Sequence, residues 1–172
     1  GHKVAVLGLG GLGHMGVKFA VSMGAEVTML STSPSKENDA KMLGAHHFAL
    51  STDKDQMKAL RGKFDFILNT VAAKYDLNKF LDLLTVEGKM LLVGIPPEDN
   101  ELGSAKLISR RRSIIGSNVG GIAETQEMLD YCAEHNILSD VEMIQMKDIN
   151  EAYTRISNSD VKYRFVIDMA SM

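Results

Sequence analysis

Apolar residues recur along the first 120 positions in short runs, each handed on to a segment of helical spacing. The runs "KVAVLG" (3–8), "EVTMLS" (26–31), "HHFAL" (46–50), "FDFILNT" (64–70), "GKMLLVG" (88–94) and "RSIIGS" (112–117) read as six strands. Between them "LGHMGVKFAVSMG", "SPSKENDAKMLG", "DKDQMKALRG", "YDLNKFLDLLTVEG" and "AKLISR" read as helices. Gly24, Gly44, Gly62 and Gly88 fall just past helix ends, where a left-handed residue closes the last turn. Strands this apolar, alternating with helices, imply a parallel sheet covered on both faces. The expected fold class is α/β, a Rossmann doubly wound sheet in the strand order 3-2-1-4-5-6.

From about Gly121 the rhythm changes. "IAETQEMLDYCAEHNI" is a long amphipathic helix, followed by a strand "VEMIQM", a helix "DINEAYTRIS" and a final strand "YRFVID". No repeat, low-complexity tract or linker interrupts the chain. The expected division is a nucleotide-binding domain over 1–120 and, over 121–172, a C-terminal α/β appendage belonging to another structural unit.

Composition narrows the function classes. The chain has 172 residues, 45% of them hydrophobic and 24% charged, with a net charge of −3. That faint acidity argues against nucleic acid or a membrane surface as a partner, since both favour basic faces. No apolar run approaches the roughly 20 residues that span a bilayer. The chain opens with Gly1-His2-Lys3 and enters a strand directly, so neither a signal peptide nor a native start is expected; a fragment of a longer, cytoplasmic protein is. The single cysteine, Cys132, excludes an internal disulfide and a cysteine metal cluster. Its spacing from Met128 and Leu129 reads as a buried core thiol, and the eleven scattered methionines read as core filling.

Candidate chemistry concentrates in "GLGGLG", residues 8–13, which combines a strand end, a glycine-rich turn and a helix start. Gly8 permits the tight turn, Gly10 lets backbone approach a pyrophosphate, and Gly13 lets the helix pack close to the sheet, with Leu9, Gly11 and Leu12 completing the loop. Phosphates there meet free N–H groups and the positive end of the helix dipole.

The end of the second strand decides which dinucleotide fits. A free adenosine ribose calls for Asp or Glu at that point. The sequence offers Ser31, Thr32, Ser33 and Lys36 instead, three hydroxyls and a cation, which suit a 2′-phosphate. NADP(H) is therefore expected over NAD(H), and a methyltransferase, which also wants an acid there, is disfavoured. Ser33 and Pro34 also suit the first positions of a helix, and one turn can serve both purposes. Beyond the carboxyl ends of strands 4, 5 and 6 stand Thr70, Gly94 and Ser117-Asn118-Val119. Gly94 would let a flat ring pass, and the backbone around 117–119 would meet a nicotinamide carboxamide.

With these residues in place, the chain resembles the cofactor-binding half of the zinc-containing medium-chain alcohol dehydrogenases, above all the cinnamyl alcohol dehydrogenase-like branch. The stretches that carry the resemblance are "GLGGLGHMGVKFA", "GAEVTMLSTS", "FDFILNTVA", "GKMLLVGIP", "RRSIIGSNVGG", "ETQEMLDYCAEH" and "INEAY…DVKYRFVIDM". The resemblance implies hydride transfer between NADP(H) and an alcohol or aldehyde, often aromatic. It implies cofactor contacts at Gly8 to Gly13, Ser31 to Lys36, Thr70, Gly94 and Ser117 to Val119. It also implies that 121–172 fold back onto a catalytic domain, and that the sixth strand, over 113–119, pairs across a homodimer axis.

The resemblance stops at the metal. The family holds its zinc with cysteines and a histidine of the N-terminal domain, and Cys132 matches none of those positions. His2, His14, His46, His47 and His135 are not spaced as ligands. No catalytic or metal-binding residue is therefore assigned to this chain, which alone should bind cofactor without turning over. Two other readings stay open: a zinc-free quinone-type reductase of the same superfamily, and a stand-alone NADP(H)-binding module. "SRRRS" (109–113) reads as a basic cap on an edge strand, because no aromatic or basic stretch extends it.

Overall fold

The computed structural model describes residues 1–172. Six parallel strands form one sheet in the order β3-β2-β1-β4-β5-β6, as the apolar pattern predicts. They are β1 (Lys3–Leu7), β2 (Glu26–Ser31), β3 (His47–Leu50), β4 (Phe64–Asn69), β5 (Leu84–Leu92) and β6 (Ser113–Gly116). The connecting helices are α1 (Gly13–Ser22), α2 (Glu37–Met42), α3 (Lys54–Ala59), α4 (Leu77–Leu81) and α5 (Ser104–Ile108).

Strand periodicity distributes the core to both faces. In β1, Ala5 and Leu7 join Leu30, Ile67, Met90 and the α4 residues Leu77, Phe80 and Leu81 on one side. Val6 points the other way, into a cluster with Val27, Met29, Val17 of α1 and Ala40 of α2. Helices therefore cover both faces, and the carboxyl ends of the strands form one open edge.

Two readings of the sequence need correction here. "LTVEG" was expected to be helical, but α4 stops at Leu81 and β5 begins at Leu84. β5 bulges: Leu84 pairs with Phe64, then Lys89 pairs with Phe66. Apolar residues that suit a helix face were claimed by the sheet. Gly88 consequently lies inside β5 instead of capping a helix, and Glu87 takes the left-handed conformation at φ 61°. Gly24, Gly44 and Gly62 do have positive φ.

Beyond the sheet come α6 (Ile122–Glu134), β7 (Val141–Gln145), α7 (Ile149–Ser157) and β8 (Arg164–Asp168). β7 and β8 pair in parallel as a separate two-stranded sheet. Residues 121–172 form a return segment that docks back on α1 and α2 through polar ties. Tyr131 meets Ser22 at 3.0 Å, Lys18 donates to the Leu138 carbonyl at 2.7 Å, and Lys162 pairs with Asp39 at 2.7 Å. Tyr163 enters the core cluster beside Leu9 and Val17. Cys132 is half-buried instead of a core thiol, since α6 lies on α1 through Tyr131, against Phe19 and Ser22, and is otherwise largely exposed. Met29 and Met90 fill the core, but Met23, Met42, Met143, Met169 and Met172 are largely exposed.

"SRRRS" is structural. Arg112 is buried, and its guanidinium donates to the carbonyls of Leu84 at 2.7 Å and Lys106 at 3.2 Å. Burial holds it below the usual guanidinium range. No helix is long and apolar enough to cross a membrane.

Candidate dinucleotide site

The glycine turn between β1 and α1 is built by close approach. Gly8 has φ 92°, open only to glycine at small cost. A Cβ on Gly13 would stand 1.9 Å from the Gly8 carbonyl oxygen, so the first turn of α1 touches the strand end. A Cβ on Gly10 would meet nothing within 4 Å, because that side faces the open edge. The N–H groups of Gly10, Gly11 and Leu12 have no acceptor within the chain. Three free donors at a helix start form an anion cradle.

Lys36 reaches this cradle from the end of β2. Its ammonium donates to the Leu9 carbonyl at 2.8 Å. A cavity of about 420 Å³ is lined by Gly8, Leu9, Gly10, Gly11, Leu12, Lys36, Thr70 and Arg164. A larger adjoining one, about 700 Å³, runs from Leu9, Gly10 and Gly11 past Ser35, Lys36 and Asp39 to Lys162 and Arg164. Both acids on its wall are paired, Asp39 with Lys162 and Asp160 with Arg155. With Lys162 engaged by Asp39, Lys36 and Arg164 are the cations that reach the glycine loop, through Leu9 and Gly11.

The other expected contacts divide. The Ser31 hydroxyl is buried and accepts the Ser33 N–H at 3.1 Å, so it shapes the turn and does not face the cavity. Thr32 is exposed, and Ser33 Oγ lies 2.8 Å from Ser35 Oγ. The Thr70 hydroxyl donates to the carbonyls of Leu7 at 2.9 Å and Gly8 at 3.0 Å, locking the glycine turn from β4. Gly94 is required by backbone: its Cβ would lie 2.5 Å from the Val71 carbonyl oxygen. Ser117, Asn118 and Val119 are exposed beyond the end of β6, outside both cavities.

Ser35 lies within the span Ser31 to Lys36 that the resemblance implied, whereas Lys162 and Arg164 were missed by sequence reasoning. Arg164 donates to the Gly11 carbonyl at 3.2 Å, bringing a second cation to the loop from the far end of the chain. Only the arginine-lysine content of "DVKYRF" could have hinted at it.

His14, the first residue after the glycine loop, is fully buried. Its Nδ1 lies 3.2 Å from the Gly10 carbonyl oxygen and its Nε2 lies 3.1 Å from Ser139 Oγ. The ring stacks on Tyr163 with centroids 4.7 Å apart. Burial lowers the imidazole pKa below its ordinary value. Burial, with the Asp39 and Asp140 carboxylates adding to it, pushes the Tyr163 phenol up to about 12.

The zinc-binding dehydrogenase family matches residues 11–134. The chain belongs to that family. It is 51% identical over 170 residues to the NADP-dependent alcohol dehydrogenase C of Mycobacterium bovis, covering 99% of this chain and 49% of that protein. It is 54% identical over 169 residues to the aldehyde reductase YahK of Escherichia coli, covering 98% of this chain and 48% of that protein. The structure of a cinnamyl alcohol dehydrogenase, SbCAD4 of Sorghum bicolor, superposes with a TM-score of 0.97 at 43% identity, over 99% of this chain and 48% of that one. The chain thus spans about half the length of the curated relatives it matches. No group of three His, Cys, Asp or Glu side chains in it could hold a metal ion, so the residues present do not fit the family's zinc.

Proposed function

We propose that the zinc-binding dehydrogenase chain is the NADP(H)-binding portion of an alcohol dehydrogenase or aldehyde reductase. In this reading the whole enzyme acts on an aromatic primary alcohol or aldehyde, a substrate class argued from the cinnamyl alcohol dehydrogenase resemblance. The observation that carries the cofactor assignment is the cradle itself. Three unpaired loop N–H groups and an open Gly10 face a wall bearing Lys36, Lys162 and Arg164, with no free carboxylate at the end of β2. The relatives' names, an NADP-dependent dehydrogenase and an aldehyde reductase, support the same reading.

In this proposal Gly8 to Gly13 and Arg164 hold the pyrophosphate. Thr32, Ser33 and Lys36 recognise the 2′-phosphate, while Ser31 and Thr70 brace the loops. Gly94 and Ser117 to Val119 border the path toward the nicotinamide. A bound nicotinamide supplies hydride to a carbonyl carbon or takes it from an alcohol carbon. The residues of this chain bind and orient it, and no metal step is assigned to them.

Residues 1–120 form the cofactor domain in this reading, and 121–172 complete a catalytic domain. Exposed Val141, Met143 and Val166 on the two-stranded sheet, with Ile122 and Leu129 on α6, support further chain packing there. The outer edge of β6 is unpaired and Ile115 is 42% exposed, which supports a homodimer through that strand. A cytoplasmic location belongs to the same proposal.

Parallel titration with NADPH and NADH, followed by nicotinamide fluorescence, tests the reading. Tighter NADPH binding that weakens in Lys36→Ala is expected. Equal or NADH-favoured binding overturns the 2′-phosphate assignment.

A further inference from the structure

We infer that His14 is a positioning residue for the cofactor loop: its ring, fixed by Ser139 and Tyr163 of the return segment, pins the Gly10 carbonyl against α1 so that the loop N–H groups face the phosphates. The inference rests on the dinucleotide reading above and adds a residue that touches no cofactor.

The Gly10 carbonyl receives two donors from one residue. The His14 backbone N–H lies 3.0 Å away, which is the ordinary first helical bond, and Nδ1 adds a second at 3.2 Å. In a trans peptide the C=O and the following N–H point in opposite directions. Pinning the Gly10 oxygen inward therefore turns the Gly11 N–H outward, toward the cavity. Glycine backbone has little conformational preference of its own, so an external tie is what selects this orientation.

The chemistry of the ring supports a dedicated role. A carbonyl only accepts, so Nδ1 must carry the proton. Nε2 is then bare and accepts the Ser139 hydroxyl proton at 3.1 Å, which selects the tautomer. The Tyr163 stack fixes the ring plane. An aliphatic side chain would fill this buried place without the desolvation cost of an imidazole. Both partners of the ring come from residues 139 and 163, so docking of the return segment is what sets the loop.

Three variants test this in the whole protein, with NADPH affinity and the thermal midpoint without cofactor measured for each. His14→Asn keeps an amide donor near the position of Nδ1, His14→Gln keeps one near Nε2, and His14→Phe keeps only the stack. Loss of the buried bond to Gly10 is expected to weaken NADPH binding about tenfold in His14→Phe and His14→Gln, with His14→Asn within about threefold of wild type. If His14→Phe does not fold, the Asn–Gln comparison decides, because a purely structural histidine makes them lose affinity and midpoint together. Wild-type affinity in His14→Gln, or equal losses in Asn and Gln, overturns the inference. Wild-type protein that binds neither dinucleotide overturns the functional reading, and this inference with it. Wild-type binding that no variant alters overturns the inference alone.

Discussion

The ammonium of Lys36 donates to the carbonyl of Leu9 at 2.8 Å, joining the end of the second strand to the glycine loop. One side chain thereby serves two loops that a dinucleotide must bridge. Arg164 makes the matching tie to Gly11 from the opposite wall. The two cations differ in what they face, and that difference separates their effects.

Lys36→Ala should weaken NADPH binding by about tenfold while changing NADH binding little, as expected for loss of a charge-assisted phosphate contact. Arg164→Ala should weaken both dinucleotides alike, because it faces the loop that holds the shared pyrophosphate. The NADPH-to-NADH affinity ratio, measured by fluorescence titration in each variant, distinguishes the two roles.

Glycines of the same loop should fail in different ways. Gly13→Ala places a Cβ 1.9 Å from the Gly8 oxygen, so backbone must shift; a loss of about 2–4 kcal/mol is expected in denaturant unfolding. Gly10→Ala adds its methyl to open space and should fold normally, yet obstruct the pyrophosphate. Near-equal stability losses in the two variants would contradict this assignment.

Arg112→Ala should cost about 3 kcal/mol or more, since the Leu84 and Lys106 carbonyls lose a buried donor and a cavity opens. Dinucleotide affinity should stay unchanged in the fraction that folds. An affinity change without a stability change would place Arg112 in the site after all.

Stability should depend on pH at both ends through one stacked pair. The pKa of His14 is lowered in the folded state, so the unfolded chain binds the proton first as pH falls below about 6.5, and stability falls with it. Facing it are Lys18 and Arg164, which oppose protonation, and Asp140, which favours it. Tyr163 is shifted the other way, up to about 12. Unfolded tyrosine ionises near 10, so stability falls again as pH rises from about 10 toward 12. Tyr163→Phe should shrink the alkaline limb to the part that Tyr75, also raised by burial, contributes, and His14→Asn should flatten the acid limb, in unfolding midpoints measured across pH.

The edge strand offers an independent test of assembly. Ile115→Lys places a charge on the unpaired border of β6, and a shift from dimer to monomer in light scattering is expected. A monomeric wild type would remove the homodimer from the proposal.

Much of this protein was legible from local pattern. Alternating apolar runs specified six strands and their two-sided burial, because period-two side-chain alternation leaves a parallel sheet no other way to bury both faces. "GLGGLG" declared its turn through Gly8 and Gly13, whose backbone and contact demands only glycine meets. The hydroxyl-and-lysine content of 31–36 was visible, though not that Ser31 turns inward. What the local pattern misjudged was "LTVEG", where a strand bulge reads like a helix face, and Cys132, whose helix is exposed over most of its length. Arg164 beside Gly11 and Ser139 beside His14 were out of reach, because |i−j| there is 153 and 125 and no periodicity encodes such contacts. Local sequence thus determined the sheet and the glycine turn through backbone sterics and burial; only tertiary docking decided which distant cations and hydrogen bonds close around that turn.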